Sequence, residues 1–343
     1  MNRLGQTFHV VFPLWAPVGG VIKILDYLHH TVECGFETAV AWGPRLPGDD
    51  APIRHHLAFE RAHRDPRISF GLLKDMQFES DAFVLFSEPS QHPDIELALP
   101  PGSDRRRIIH LVQNTRHANP HWHLGFPYLL LHRPVTRLFV THEVADAVAP
   151  VMNKTFPAST IVEGHGWEYF SRPAPTEFPP QDRPLKVGYT TWKSDIGDNV
   201  AAAMSHDPRV SFDAIRKPAT WPELKSLYHQ CDVWLCAPGP EEGFYLPGLE
   251  AMAASTVVVS ALIGGNKAYL RNEENCLTAD FEDVAGHVAA IQRLLDEPDL
   301  ARSLIAQGHR TTHRFTLDRE RDEFSTFLTW LAHSSPGEHL PTD

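Results

Sequence analysis

The stretch FHVVFPLWAPVGGVIKILDYLHHTVECGFETAVAWGP, residues 8–44, decides the fold. FHVVFPLW is an apolar run rich in strand formers, and APVGG, residues 16–20, is a turn. In the helical spacing that follows, Val21, Ile24, Leu25 and Leu28 share one face, and Gly35 ends the helix. FETAVAWGP is a second strand. Strand, glycine turn, helix, strand is a βαβ unit, and that unit implies a parallel sheet.

Outward from there the pattern continues. DAFVLF (81–86), RIIHLVQ (107–113) and TRLFVT (136–141) read as further strands, with a helix starting near His142. FSRPAPTEFPPQDRP, residues 170–184, is dense in proline, lacks periodicity and reads as a linker. Beyond it the alternation restarts. LKVGYTT, VSFDAI, DVWLCAP and TVVVSA read as strands, with helices at 198–204, at WPELKSLYHQC and on through Ala254. The expected class is α/β, with two Rossmann-like doubly wound parallel-sheet domains, residues 1–168 and 185–315. A proline-rich hinge over 169–184 would join them. A C-terminal helix, 316–333, is expected to pack back on the N-terminal domain, and 334–343 to be a disordered tail.

The bulk numbers agree. A chain of 343 residues can fill two cores, and 42% hydrophobic with 22% charged residues is globular composition rather than disordered. The formal charge of -12 argues against a nucleic-acid binder, which needs a basic face. The run Arg105–Arg107 reads as a solvated strand entry. No apolar run nears the ~20 residues of a membrane span, and FHVVFPLW is too short for a signal peptide. Cys34, Cys231, Cys236 and Cys276 have no ligand spacing, so a reduced, cytoplasmic protein is expected. His117, His121 and His123 invite a zinc reading, but no matching cysteine or acid accompanies them, and no metal is assigned.

In open α/β sheets ligands bind where loops leave the carboxyl ends of strands. APVGG is one such loop. The other is APGPEEGFYLPGLEAMAASTVVVS, residues 237–260. Pro247 suits the first position of a helix, which would put Glu250 in its first turn and Glu242 in the loop before it. Free amides at Gly243, Phe244 and the helix start would seat a phosphate. Carboxylates beside a phosphate fit sugar hydroxyls, each accepting two hydrogen bonds from a diol. The combination describes a nucleotide-diphosphate sugar.

EEGFYLPGLEAMA with VVVSALIGG resembles the donor-binding signature of the retaining glycosyltransferases of family four, of the group 1 type, which have the GT-B fold. VGGVIKILDYL resembles that family's N-terminal glycine loop and helix. TIVEGHGWEYFSRP resembles its interdomain segment, usually asparagine-glycine-valine-aspartate before an aromatic. The resemblance is strong over 211–318 and collinear before that. It implies two domains facing across a cleft that holds a nucleotide-sugar donor and a saccharide, lipid-linked or small-molecule acceptor. It also implies no cofactor and no metal. By the same resemblance Glu242 would contact the transferred sugar and Glu250 the ribose, while Gly243, Phe244, Tyr245, Leu246 and Gly188 would line the donor site. Gly19 and Gly20 would let the first loop approach phosphates or acceptor closely.

The chain departs from the family at several points. Tyr189 stands where an arginine usually follows the strand glycine, leaving Lys193 either as the diphosphate cation or as a surface lysine. Ser255-Thr256-Val257 replaces Gly-x-Pro, and Ala268 replaces a glutamate. The first-domain histidine gives way to Gln113 and Asn114, with His117 as the candidate that reaches the site and His110 packed in its strand. The function expected is retaining transfer in cell-envelope polysaccharide or glycosylated-metabolite synthesis, in the cytoplasm or at the inner membrane face. A non-catalytic nucleotide-sugar-binding subunit and a nucleotide-sugar epimerase are the alternatives.

Overall fold

The structure, a computed structural model, describes residues 5–48, 51–122 and 126–334. His123 and the tail call on 335–343 lie outside the described residues. The chain divides into two compact units, Met1–Glu163 with Leu317–Asp343, and Gly164–Thr316.

The first unit is a sheet of seven parallel strands: β1 (Gly5–Val11), β2 (Phe36–Gly43), β3 (Ile68–Leu72), β4 (Phe83–Phe86), β5 (Ile108–Val112), β6 (Thr136–Phe139) and β7 (Ala158–Thr160). Their order is β3-β2-β1-β4-β5-β6-β7, so the winding reverses beside β1. Helices α1 (Gly19–Glu33), α2 (Leu57–Arg64), α3 (His92–Ala98), α4 (Phe126–Leu130) and α5 (His142–Val148) connect them. β3 and β7 escape the sequence reading because each is a short, half-buried edge strand without a full apolar run.

The expected apolar face of α1 is buried, but so are Lys23, Asp26, Tyr27 and His30. The reason is the C-terminal helix Leu317–His333, which belongs to this unit and covers the polar side of α1. Lys23 Nζ lies 2.8 Å from Glu320 Oε2 and 3.2 Å from Asp26 Oδ2. His30 Nε2 is 3.1 Å from the same Glu320 oxygen. Burial alone would push the Glu320 carboxyl up, but Lys23 and His30 hold it down at about 2. Glu163, close to this cluster and without such a bond, is pushed up by burial to about 8 despite the pull of Lys23. Phe324 on the same helix meets Tyr27 edge-on at 4.8 Å, so the ionic contact sits inside an aromatic one. The three arginines 105–107 are engaged within the unit: Arg105 pairs with Glu96, Arg106 with Asp104 and the Ser334 carbonyl, and Arg107 donates to the Asp81 carbonyl.

The second unit has five parallel strands, β8 (Leu185–Thr190), β9 (Val210–Ile215), β10 (Val233–Leu235), β11 (Val257–Ala261) and β12 (Leu277–Ala279), in the order β12-β11-β10-β8-β9. Its helices are α6 (Ile196–Ala203), α7 (Trp221–Gln230), α8 (Leu246–Ala253), α9 (Val284–Asp296) and α10 (Pro298–Thr312); the C-terminal helix of the first unit is α11. α7 starts on a capping box, Thr220 with Glu223, as helix chemistry prefers.

The proline-rich segment is not the free linker that its composition suggests. The chain passes between units at 163–164 and 316–317, and residues 170–184 are packed on the second unit. Arg172 donates to the carbonyls of His229, Cys231 and Ala254, and its amide to Ala253; Phe178 enters the core. One half-buried arginine satisfying three carbonyl ends accounts for a segment that proline spacing alone reads as loose.

Candidate functional site

β10 is fully buried between β8 and β11, and the loop 237–245 leaves its carboxyl end. Tyr245 closes that loop on itself. Its hydroxyl accepts from the Ala237 amide at 3.0 Å, and its carbonyl accepts from the Tyr269 hydroxyl at 2.6 Å. Its backbone is left-handed, φ +65, a conformation costing a non-glycine residue on the order of 1 kcal/mol or more. The surrounding contacts hold it there.

The glycine pair of the signature has a packing reason. A Cβ on Gly264 would lie 2.3 Å from the Glu242 carbonyl oxygen, and one on Gly265 would lie 1.5 Å from that of Gly243. The Gly265 amide donates to the Glu242 carbonyl at 3.2 Å. Only glycine lets this turn brace the loop so closely. Phe244 is buried against Tyr269 and Phe315, with ring centroids at 5.2 and 5.6 Å. Gly243 and Phe244 are therefore fixed backbone, and Leu246 is the first residue of α8.

The two glutamates differ sharply. Glu242 is partly exposed on the braced loop, and its Oε1 lies 2.5 Å from Lys193 Nζ. Lys193 follows the neighbouring strand β8, and its ammonium sits 5.6 Å from the Tyr245 ring centre. The structure thus brings together two residues that are 49 apart in sequence. Glu250 is not in the first turn of α8: with the helix starting at Leu246 it is the fifth residue, because Pro247 takes the second position rather than the first. It is 3% exposed. The Tyr228 hydroxyl donates to its Oε2 at 2.7 Å, and His165 Nε2 meets its Oε1 at 3.0 Å.

The remaining candidates are placed as follows. Gly188 lies inside β8, where a Cβ would meet Cys231 Sγ at 2.4 Å, so its need for glycine is packing within the sheet. Gly19 opens α1 in the first unit. The Gly20 carbonyl accepts from Gln113 Nε2 at 3.1 Å, which ties the glycine loop to the end of β5. His117 is buried, with neither ring nitrogen hydrogen-bonded, and burial with Arg116 nearby pushes its pKa down to about 3. The Glu88 carboxylate lies 3.9 Å from its Nε2. Tyr189, at the arginine position, donates to Asp198 Oδ1 at 2.6 Å. His29, Glu33 and Asp65 come together in the first unit, but Arg67 already engages both carboxylates.

Sequence reading missed His165 and Tyr228 as partners of Glu250, and the strained Tyr245. Ser255, at the usual glycine of Gly-x-Pro, is likewise left-handed at φ +53.

Two α/β units with parallel sheets of seven and five strands make this the GT-B glycosyltransferase fold. The chain superposes on sucrose-phosphate synthase from Thermosynechococcus elongatus with TM-score 0.71 at 15% identity, over 96% of this chain and 100% of that one. It superposes on the Anabaena protein HepE, solved in complex with UDP, with TM-score 0.69 at 11% identity, over 94% and 99%. Residues 217–311 match the sequence family Glycosyl transferases group 1, which establishes over that segment the resemblance read from its motifs. A D-inositol 3-phosphate glycosyltransferase of Salinispora tropica is 34% identical over 122 residues, 35% of this chain and 24% of the relative. One from Thermomonospora curvata is 35% identical over 112 residues, 33% and 26%. The match thus spans about a quarter of the length of these curated relatives. No helix among the described residues is long and apolar enough to cross a membrane.

Proposed function

We propose that the protein transfers a sugar from a nucleotide-diphosphate sugar to an acceptor hydroxyl, and that the second unit holds the donor. The observation that carries this reading is the Lys193–Glu242 pair, a cation and a carboxylate that meet from two loops at the carboxyl ends of adjacent parallel strands. Lys193 would meet the diphosphate, Glu242 the transferred sugar and Glu250 the ribose. As the bond from the anomeric carbon to the phosphate oxygen breaks, positive charge develops on the sugar, and a fixed carboxylate favours that state over the ground state. The acceptor oxygen would bond to the same face, its proton passing to the leaving phosphate, so that configuration is retained. Positive side chains and helix ends would carry the leaving charge without a metal. The acceptor would be a saccharide, lipid-linked or small hydroxyl compound of cell-envelope or metabolite synthesis, met in the cytoplasm or at the inner membrane face.

A second reading, a nucleotide-sugar binder without turnover, is favoured by Tyr189, whose hydroxyl is engaged by Asp198 where the family supplies a diphosphate arginine. One assay separates the two. The protein is incubated with UDP-, GDP- and dTDP-hexoses in excess EDTA, with mixed acceptors, and nucleoside diphosphate release is measured. Release that Glu242→Gln abolishes is the expected result. Binding without release supports the second reading, release without acceptor supports hydrolysis or epimerisation, and release restored only by Mn²⁺ or Mg²⁺ overturns metal independence.

A further inference from the structure

We infer that the Lys193–Glu242 pair is an exchangeable clasp: a ligand diphosphate takes Lys193 away from Glu242, and only then is the carboxylate free to meet the sugar. This rests on the donor-site reading above and adds a step to it. Three observations carry it. The backbone under Glu242 is fixed by Gly264, Gly265 and the closed Tyr245 loop, so the carboxylate cannot retreat by moving the loop. Lys193 is on a different loop, its side chain is 38% exposed, and its flexible four-carbon stem lets the ammonium move without the backbone. Glu242, by contrast, has a side chain only 14% exposed, so losing its cation leaves it a poorly hydrated anion, primed to accept hydroxyl hydrogen bonds.

The exchange has a direction set by charge. A diphosphate carries more negative charge than one carboxylate and offers more acceptor oxygens, so it outcompetes Glu242 for the ammonium. The pair nevertheless holds the free protein in a state in which the cation is occupied, and apparent ligand affinity is reduced by the fraction so occupied. Glu242 is therefore a brake on diphosphate binding as well as the proposed sugar contact. Glu250 cannot play this part, because both of its oxygens are held inside the unit by Tyr228 and His165.

The test is equilibrium binding of UDP, GDP and dTDP to the full chain and its variants. Glu242→Gln should bind the preferred diphosphate tighter than wild type, by roughly two- to fivefold for a part-exposed pair. Lys193→Met should weaken it about tenfold. In the double variant the gain from Gln should vanish, because there is no ammonium left to release. If wild type binds a diphosphate but Glu242→Gln binds it equally or more weakly, the clasp is wrong and the donor site stands. A gain that survives in the Lys193→Met background also overturns it. If wild type binds none of the three, the donor-site reading fails and the clasp with it. Circular dichroism melts of each variant establish that they are folded.

Discussion

The two units use charge in opposite ways. In the first, Lys23, Glu320, His30 and Asp26 join α1 to α11 with Lys23 and Glu320 almost wholly out of water. In the second, Lys193 and Glu242 join two loops at a sheet end with the ammonium open to solvent. Both are ion pairs of nearly the same length. Burial distinguishes them. A buried pair that loses one member leaves an uncompensated charge in the interior, whereas in the part-exposed pair the ammonium can return to water and the loop carboxylate, 14% exposed, can take another partner. The first kind fixes a fold, and the second can be traded for a ligand. Glu250 lies on the buried side of this division even though the signature makes it a partner of Glu242.

The largest expected effect breaks the first unit's pair. Glu320→Ala should cost about 3–5 kcal/mol by stranding Lys23, and urea unfolding with intact α11 contacts elsewhere measures it. A triple variant Lys23→Met/Asp26→Leu/Glu320→Leu, which removes the paired buried charges together, should recover most of that loss, since apolar side chains can fill the same space without desolvating charge. If Glu320→Ala is as stable as wild type, the cluster is not holding α11 to α1.

Glu250 comes next. Glu250→Ala leaves the Tyr228 hydroxyl and His165 without their acceptor in the interior and should cost about 2–4 kcal/mol. Loss of nucleotide binding in that variant alone would therefore say little about a ribose. Glu250→Gln keeps a hydrogen-bonding side chain of the same size, and it should raise donor KM while changing kcat little, as uniform binding predicts. A Gln variant with wild-type KM would leave Glu250 a purely internal carboxylate.

Much of this was legible in the residues, and what was not has identifiable causes. The βαβ start, the restart after residue 184 and the Glu242–Glu250 signature follow from apolar periodicity, glycine placement and the resemblance they carry. The proline-rich segment misled because proline density reports backbone preference, and Arg172 reaching three carbonyls across 57 to 82 residues leaves no local trace. The burial of Lys23 and Asp26 on α1 leaves no local trace either, since the helix that covers them is about 300 residues further on. Lys193 read equally well as a surface lysine or a ligand cation. Only the register of β8 beside β10 sets it next to Glu242.

The smallest expected effect sharpens the comparison most. Lys193→Met and Glu242→Gln should each change unfolding free energy by less than about 1 kcal/mol, because a pair with the ammonium this open contributes little after solvation and side-chain entropy are counted. Their melting curves should nearly overlay that of wild type, unlike those of Glu320→Ala and Glu250→Ala. Function should respond in the reverse order: Glu242→Gln should lower kcat strongly, since a carboxylate beside a developing cation counts in the transition state. Stability and turnover are then separated on one loop. If Glu242→Gln instead loses as much stability as Glu250→Ala, Glu242 is a structural charge like those of the first unit, and the loop it sits on is braced for packing rather than for a sugar.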